Sequence, residues 1–160
     1  MANVDNPRGF EWVSNLYGGT GGPQVLKLKT ANTQTIAAGD AVILASGYVS
    51  IALNDSDTIL GVAASAVTSS SEGDDIWVIP AMPGYLFRAQ CSGTLTQALL
   101  LGPADIEGAT GEMEVNEDAN VEDVLQIVDL DRSERNSIGA NSDVIVRFIR
   151  SEFADTIAAK

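Results

Sequence analysis

Short apolar runs, separated by turn residues, recur about every ten residues along most of this 160-residue chain. That spacing is typical of an all-β sandwich or barrel, and no long helical period competes with it. A chain of this length buries roughly 68–70% of its unfolded surface, so it can form a core without stapling bonds. The sequence therefore predicts a mainly β fold, a compact sandwich-like or barrel-like domain of short antiparallel strands.

The alternation that indicates a half-buried strand is clearest between Tyr85 and Cys91. There Tyr85, Phe87, Ala89 and Cys91 would share one face, with Arg88 and Gln90 on the other. A hairpin is predicted where residues 41–45 and 48–53 flank Ser46-Gly47. Further strands are predicted over 25–29, 59–67, 76–79, 124–130 and 144–149, and residues 94–101 are ambiguous between a strand and a helical turn.

Residues 1–23 differ from this pattern and are interpreted as an extended, glycine-rich N-terminal arm, followed by a β domain over 24–150. Four glycines between Gly18 and Gly22 disfavour a helix or strand there. Either the arm folds back onto its own domain, or its aromatic residues anchor it on another chain, and the second interpretation is favoured. Deleting residues 1–22 is then expected to leave the β domain folded. The predicted partner-binding residues are Pro7, Arg8, Phe10, Trp12, Val13, Leu16 and Tyr17.

Two segments near the end of the chain are predicted to lie outside the core. Residues 104–123 contain eight acidic residues and no basic one, which indicates a long solvated loop or a weak hairpin. Residues 151–160 are interpreted as a C-terminal tail or short helix over 152–159, capped by Ser151.

The charge of the chain argues against two classes of partner. Twenty-two acidic and nine basic residues give a net charge of −13, which repels the phosphates of nucleic acids and of anionic membranes. No apolar run approaches the roughly 20 residues of a membrane span. The N-terminus also lacks the basic start and apolar core of a signal peptide. The sequence therefore predicts a protein that binds neither nucleic acid nor membranes directly and is soluble where it is made.

The residue types needed for most catalysis are scarce, so we predict no enzymatic activity, no cofactor and no metal. There is no histidine, which removes the usual serine and cysteine triads and imidazole metal sites. The single cysteine, Cys91, is predicted to be a buried thiol. The glycines at 18–22 lack the lysine of a phosphate-binding loop, because Pro23 follows them. Residues 54–57 carry hard oxygen ligands but no calcium-loop pattern, so they are interpreted as a turn.

Several short stretches of the chain together resemble the head decoration proteins of tailed bacteriophages, also called capsid cement proteins. They are MANVDNPRGF (1–10), AGDAV (38–42), ILGVA (59–63), VDLD (128–131), Asn136, GAN (139–141) and VIV (144–146).

The resemblance implies a structural virion protein, made in the host cytoplasm and located on the outer surface of an icosahedral head. It would bridge subunits of the major capsid protein, as a homotrimer at threefold or quasi-threefold positions. Two alternatives stay open: a phage tail or fibre component, and a carbohydrate-active β domain that uses a pair of carboxylates. The carbohydrate alternative predicts a cleft with two converging carboxylates, one of raised pKa.

Overall fold

The computed structural model describes residues 2–118 and 121–154. Its strands are β1 Glu11–Asn15, β2 Leu26–Lys29, β3 Thr35–Ile36, β4 Ala41–Ala45, β5 Tyr48–Ile51, β6 Gly61–Ala63, β7 Val67–Thr68, β8 Asp75–Pro80, β9 Tyr85–Gln90, β10 Pro103–Glu107, β11 Glu114–Asn116, β12 Leu125–Leu130 and β13 Asp143–Phe148. One 3-10 turn covers Gln97–Leu99. With 42% strand and 2% helix, the predicted mainly β class is confirmed.

The strands form three antiparallel sheets, none of which is a closed barrel. A six-stranded sheet has the order β1-β9-β13-β12-β10-β11, and a five-stranded sheet has the order β2-β8-β6-β4-β5. Strands β3 and β7 form a small third sheet. In the six-stranded sheet, the far strand β11 curls back toward β9 through a bridge between Val115 and Cys91. Strand β1 is therefore left as the outer edge of that sheet.

Two apolar clusters follow from the period-two alternation of the strands. On β13, Val144, Val146 and Phe148 are buried while Ile145 and Arg147 between them are only half-buried. The larger cluster contains residues of both large sheets, and the smaller one lies between the five-stranded and two-stranded sheets. The predicted hairpin is confirmed, since Ser46 and Gly47 both have positive φ values, which the tight turn requires.

Of the two predictions for the acidic segment, a solvated loop or a weak hairpin, the structure shows the hairpin. Strands β10 and β11 form a paired hairpin within it, in which Ile106 faces Val115 and both side chains are buried. Few apolar residues suffice in the hairpin because Ala104, Ile106 and Val115 are all buried. Two carboxylates of the segment, those of Asp105 and Glu117, are buried as well.

Smaller differences concern strand lengths and one loop. The predicted strand over 59–67 is two short strands, β6 and β7, that belong to different sheets. Ser69, in the loop after β7, is buried, and its hydroxyl donates to the Ala31 carbonyl and accepts from the Gln34 amide. Ser151 accepts a hydrogen bond from the Phe153 amide. The helix predicted over 152–159 falls mostly outside the described residues.

Candidate partner-binding site along the N-terminal segment

Residues 2–8 lie across the end of the six-stranded sheet and are held there by the side chain of Asn3. Its amide nitrogen donates to the carbonyls of Ser137 and Ala140, each at 2.8 Å. Its oxygen accepts from the Ser137 amide at 3.0 Å. One asparagine thus satisfies three backbone groups in the loop between β12 and β13, which ties the start of the chain to that loop.

The side chain of Gln90, at the end of β9, also holds this segment. Its amide donates to the Val4 carbonyl at 2.9 Å and its oxygen accepts from the Asn6 amide at 2.8 Å. The alternation of β9 predicts an outward, solvated Gln90, but the side chain is buried. The prediction was wrong because the N-terminal segment covers that face of the strand.

Gly9 then lets the chain cross closely over the turn before β4. Its φ is +76°, and a β-carbon there would lie 2.6 Å from the Gly39 oxygen. Gly39 has a φ of +96°, and its carbonyl accepts from the Phe10 amide at 2.8 Å. Both positions need glycine, because other residues adopt these conformations at a cost and would meet the crossing backbone.

Phe10 and Trp12 belong to the fold itself, which corrects the prediction that residues 1–23 form an arm separate from the domain. Phe10 is only 3% exposed and lies in the larger apolar cluster against Phe148. Trp12 packs edge-on against Tyr85, with ring centroids 6.3 Å apart. The chain folds back onto its own domain here, so the Phe10 side chain is not available to fill a pocket on a partner.

The other predicted contact residues differ from Phe10 in their exposure. Val13, Leu16 and Tyr17 are 43%, 47% and 74% exposed, and we call these three the apolar edge. Val13 lies in β1, the outer strand of the six-stranded sheet, and Leu16 and Tyr17 come just after it. Within the described ranges no strand pairs with the free side of β1. Pro7 is half-buried and Arg8 is exposed, and both lie before the glycine crossing.

The register of β1 against β9 is irregular at Val13, which lies in a β-bulge between Trp12 and Ser14. A bulge twists an edge strand and discourages indiscriminate pairing with other chains. Beyond Asn15, residues 16–25 carry the glycine tract and form no strand. The structure therefore combines an exposed apolar edge with a loop of high conformational freedom.

A groove of about 340 Å³ lies on the inner side of this segment. Two acidic side chains, Glu11 and Asp143, line it together with Arg8 and Arg88. Arg88 forms an ion pair with Glu11 at 2.5 Å and lies 3.7 Å from Asp131. The hydrogen bond to Glu11 and the neighbouring carboxylates raise the pKa of the Arg88 guanidinium.

The second carboxylate of the groove, that of Asp143, has a different environment. Burial raises the pKa of Asp143 above its ordinary value, partly offset by the charge of Arg8. One paired carboxylate and one of raised pKa thus line the same groove.

The remaining chemistry of the chain is sparse. Across residues 2–118 and 121–154, no group of three or more Cys, Asp or Glu side chains is placed to hold a metal ion. Residues 54–57 form the predicted turn, in which the Ser56 hydroxyl accepts from the Leu53 amide. Cys91 is fully buried. Its burial raises the pKa of its thiol, and the charges of nearby carboxylates add a smaller increase. A thiol in that state is a poor nucleophile.

No helix in the described part of the chain combines the length and apolar character needed to cross a membrane. Comparison with protein-family models finds no family that matches the chain. Comparison with curated proteins likewise finds no match.

The residues that position the segment were not among the predicted site residues; they are Asn3, Gly39 and Gln90. Their partners lie far away in sequence, so no local pattern marks them. A signal was available only for Gly39, since Gly39-Asp40 is a turn pair next to a predicted strand.

The carboxylate of Glu114 offers a test of the crowded acidic surface on β11. Burial and the charges of Asp5, Glu107, Glu112 and Glu117 raise the pKa of Glu114 above its ordinary value of 4.5. A carboxyl whose pKa is raised on folding favours the fold below its unfolded pKa and loses that contribution as the pH rises through the folded pKa. Replacing Glu114→Gln is therefore expected to raise the urea midpoint at pH 7 and to leave it unchanged at pH 4 and below.

The control for this prediction is Asp57→Asn, which neutralises an acid in an exposed turn. It is expected to shift the midpoint far less at pH 7. A Glu114→Gln protein that is less stable than the wild type at pH 7 would show that the carboxylate makes a favourable contact instead.

Proposed function

We propose that this protein is a structural component of a tailed-phage virion, which binds the outer surface of the head and bridges subunits of the major capsid protein. The observation that carries the proposal is the apolar edge of Val13, Leu16 and Tyr17, which lies along and just after β1, the edge strand whose outer side is unpaired in the described residues. The resemblance of several sequence stretches to decoration proteins supports the same role.

An unpaired strand edge is a ready partner for another extended segment. Its main-chain groups supply hydrogen bonds that demand no particular sequence, while neighbouring apolar side chains supply specificity. Tyr17 is suited to act as an anchor, since tyrosine is among the residues that carry most of the energy at the centre of a contact, and Leu16 adds apolar area beside it. The β1 edge is accordingly the part of this surface that would contact the capsid protein.

The proposed partners are the major capsid protein and two further copies of this chain in a trimer. The net charge of −13 suits a protein outside the shell, where it does not contact packaged DNA. Many copies of a modest contact on one shell would together resist rupture. The role requires no catalysis, no cofactor and no metal.

Co-sedimentation with empty shells of the cognate major capsid protein tests the proposal. The wild-type chain is expected to bind saturably at a fixed copy number per shell. Replacing both Leu16→Ala and Tyr17→Ala should weaken binding by about tenfold or more, because each truncated anchor typically costs over 1 kcal/mol. Both side chains are exposed, so the variant is expected to keep the stability of the wild type.

Leu53→Ala is the matched control. Leu53 is 61% exposed and lies just after β5, a strand of the five-stranded sheet. It is expected to bind like the wild type. Binding that survives in the Leu16/Tyr17 variant but is lost in the Leu53 variant would move the contact to the five-stranded sheet. Absence of binding to heads, with incorporation into tails, would support the tail-component alternative.

A further inference from the structure

The groove between the N-terminal segment and the two large sheets has the composition of a small-molecule site. Its volume of about 340 Å³ is at the lower end of the roughly 300–1,000 Å³ typical of ligand pockets. Trp12, Val62 and Ile79 supply apolar surface, and the exposed side chains of Asn6 and Arg8 stand at its rim. It thus combines a flat aromatic ring with several polar groups.

The charges that line this groove are balanced, with Arg8 and Arg88 against Glu11 and Asp143. Arg88 forms an ion pair with Glu11 at 2.5 Å. The charge of Arg8 acts on Asp143. A ligand with a net charge would gain attraction from one member of each pair and repulsion from the other. The groove therefore favours a ligand that is polar but neutral.

Two hydrogen-bond donors of the groove lack an acceptor. The Trp12 indole nitrogen and the Arg88 Nε are both buried and have no hydrogen-bond partner in the part of the chain that the structure describes. Buried polar groups in folded proteins nearly always have a partner, in the protein, in water or in a ligand. Both residues line the same groove, and an acceptor that reached either nitrogen would satisfy it.

We propose that this groove binds a neutral saccharide unit. Each sugar hydroxyl is both a donor and an acceptor, which suits a wall that offers carboxylates, guanidinium groups and amides side by side. The apolar C–H face of a pyranose ring would pack on Trp12. This inference goes beyond the proposed structural role and does not depend on it, since a head protein and a tail protein could each carry such a site.

Titration of the ¹⁵N-labelled full chain with neutral sugars, followed by amide chemical shifts, tests the inference. The probes are methyl β-glucoside, methyl β-galactoside, N-acetylglucosamine and their β-1,4-linked disaccharides. At least one is expected to give saturable shifts that centre on Asn6, Arg8 and Ala64, which line the groove. Acetate and ethanolamine, which carry one charge each, are expected to give no saturable shift there.

Asn6→Ala is the variant that checks the site, because the Asn6 side chain is exposed and its loss should not unfold the protein. It is expected to weaken sugar binding by about tenfold, which corresponds to one lost hydrogen bond of roughly 1.4 kcal/mol. Asn54→Ala removes an exposed amide from a distant turn and should bind as the wild type does.

Three outcomes would overturn the inference. One is the absence of saturable shifts with every sugar in the panel. The second is a set of shifts that centres away from the groove. The third is equal weakening by Asn6→Ala and Asn54→Ala. None of these results would alter shell binding through the β1 edge, so failure here and failure of the proposed function are distinguishable.

Discussion

Replacing Phe10→Ala is expected to lower the free energy of unfolding by about 3–5 kcal/mol, the usual range for a phenylalanine removed from a core. The Phe10 ring is 3% exposed and lies 5.5 Å from that of Phe148. Phe148 in turn packs edge-on against Phe87 at 5.3 Å. The truncation would leave a cavity beside this aromatic row, which a β core cannot readily collapse to fill.

Chemical denaturation of the wild type and the variant measures this effect. Val4→Ala is the control within the same segment, because Val4 is 76% exposed and should change stability by no more than about 0.5 kcal/mol. If Phe10→Ala were as harmless as Val4→Ala, residues 1–23 would be a detachable arm after all.

The same packing changes the expected result of deleting residues 1–22. From the sequence, the β domain is expected to remain folded. The deletion, however, removes Phe10 from the larger apolar cluster and the edge strand β1 from the six-stranded sheet. We now expect the truncated chain to be strongly destabilised. Loss of shell binding on deletion would then report unfolding, whereas replacement of the exposed side chains of Leu16 and Tyr17 leaves the core intact.

Replacing Asp105→Ala is expected to lower the free energy of unfolding by about 3 kcal/mol. The buried Asp105 carboxylate accepts hydrogen bonds from three successive backbone amides, those of Val121, Glu122 and Asp123. The shortest is 2.6 Å. Each part-buried donor left without an acceptor costs roughly 1 kcal/mol or more, and a charged acceptor is worth more than a neutral one.

Urea denaturation checks this prediction, with Asp118→Ala as the matched control because Asp118 is an exposed acid of the same segment. The control should lie within about 0.5 kcal/mol of the wild type. Equal effects of the two substitutions would mean that the Asp105 carboxylate contributes only its charge and that its three hydrogen bonds are replaced by water without loss.

Phe10 and Asp105 show how the N-terminal segment and the acidic segment are attached to the domain. Both were expected to lie outside the core, and in both of them buried side chains connect the segment to the domain. In the N-terminal segment, burial of Phe10 and Trp12 orients β1 so that Val13, Leu16 and Tyr17 remain outside. The aromatic residues thus position the proposed contact surface, while smaller exposed residues would form it.

Local pattern was sufficient for the strands whose alternation is strict and whose turns are short. The β4–β5 hairpin, with Ser46 and Gly47 at its turn, and the inward face of β13 are determined by the sequence alone. The physical reason is that side chains alternate across a strand and that few residues tolerate a positive φ. Both features can therefore be recognised in a stretch of about ten residues.

Tertiary structure decided whether each weakly patterned segment was buried. Phe10 meets Phe148, Gln90 meets Val4, and the Asp105 carboxylate meets amides that lie 16 to 18 residues away. A glycine-rich or acidic stretch looks solvated when it is considered by itself, because its few apolar groups have no visible partner. Only the folded sheets bring those partners close enough for burial and hydrogen bonding to exceed the entropy lost in ordering the chain.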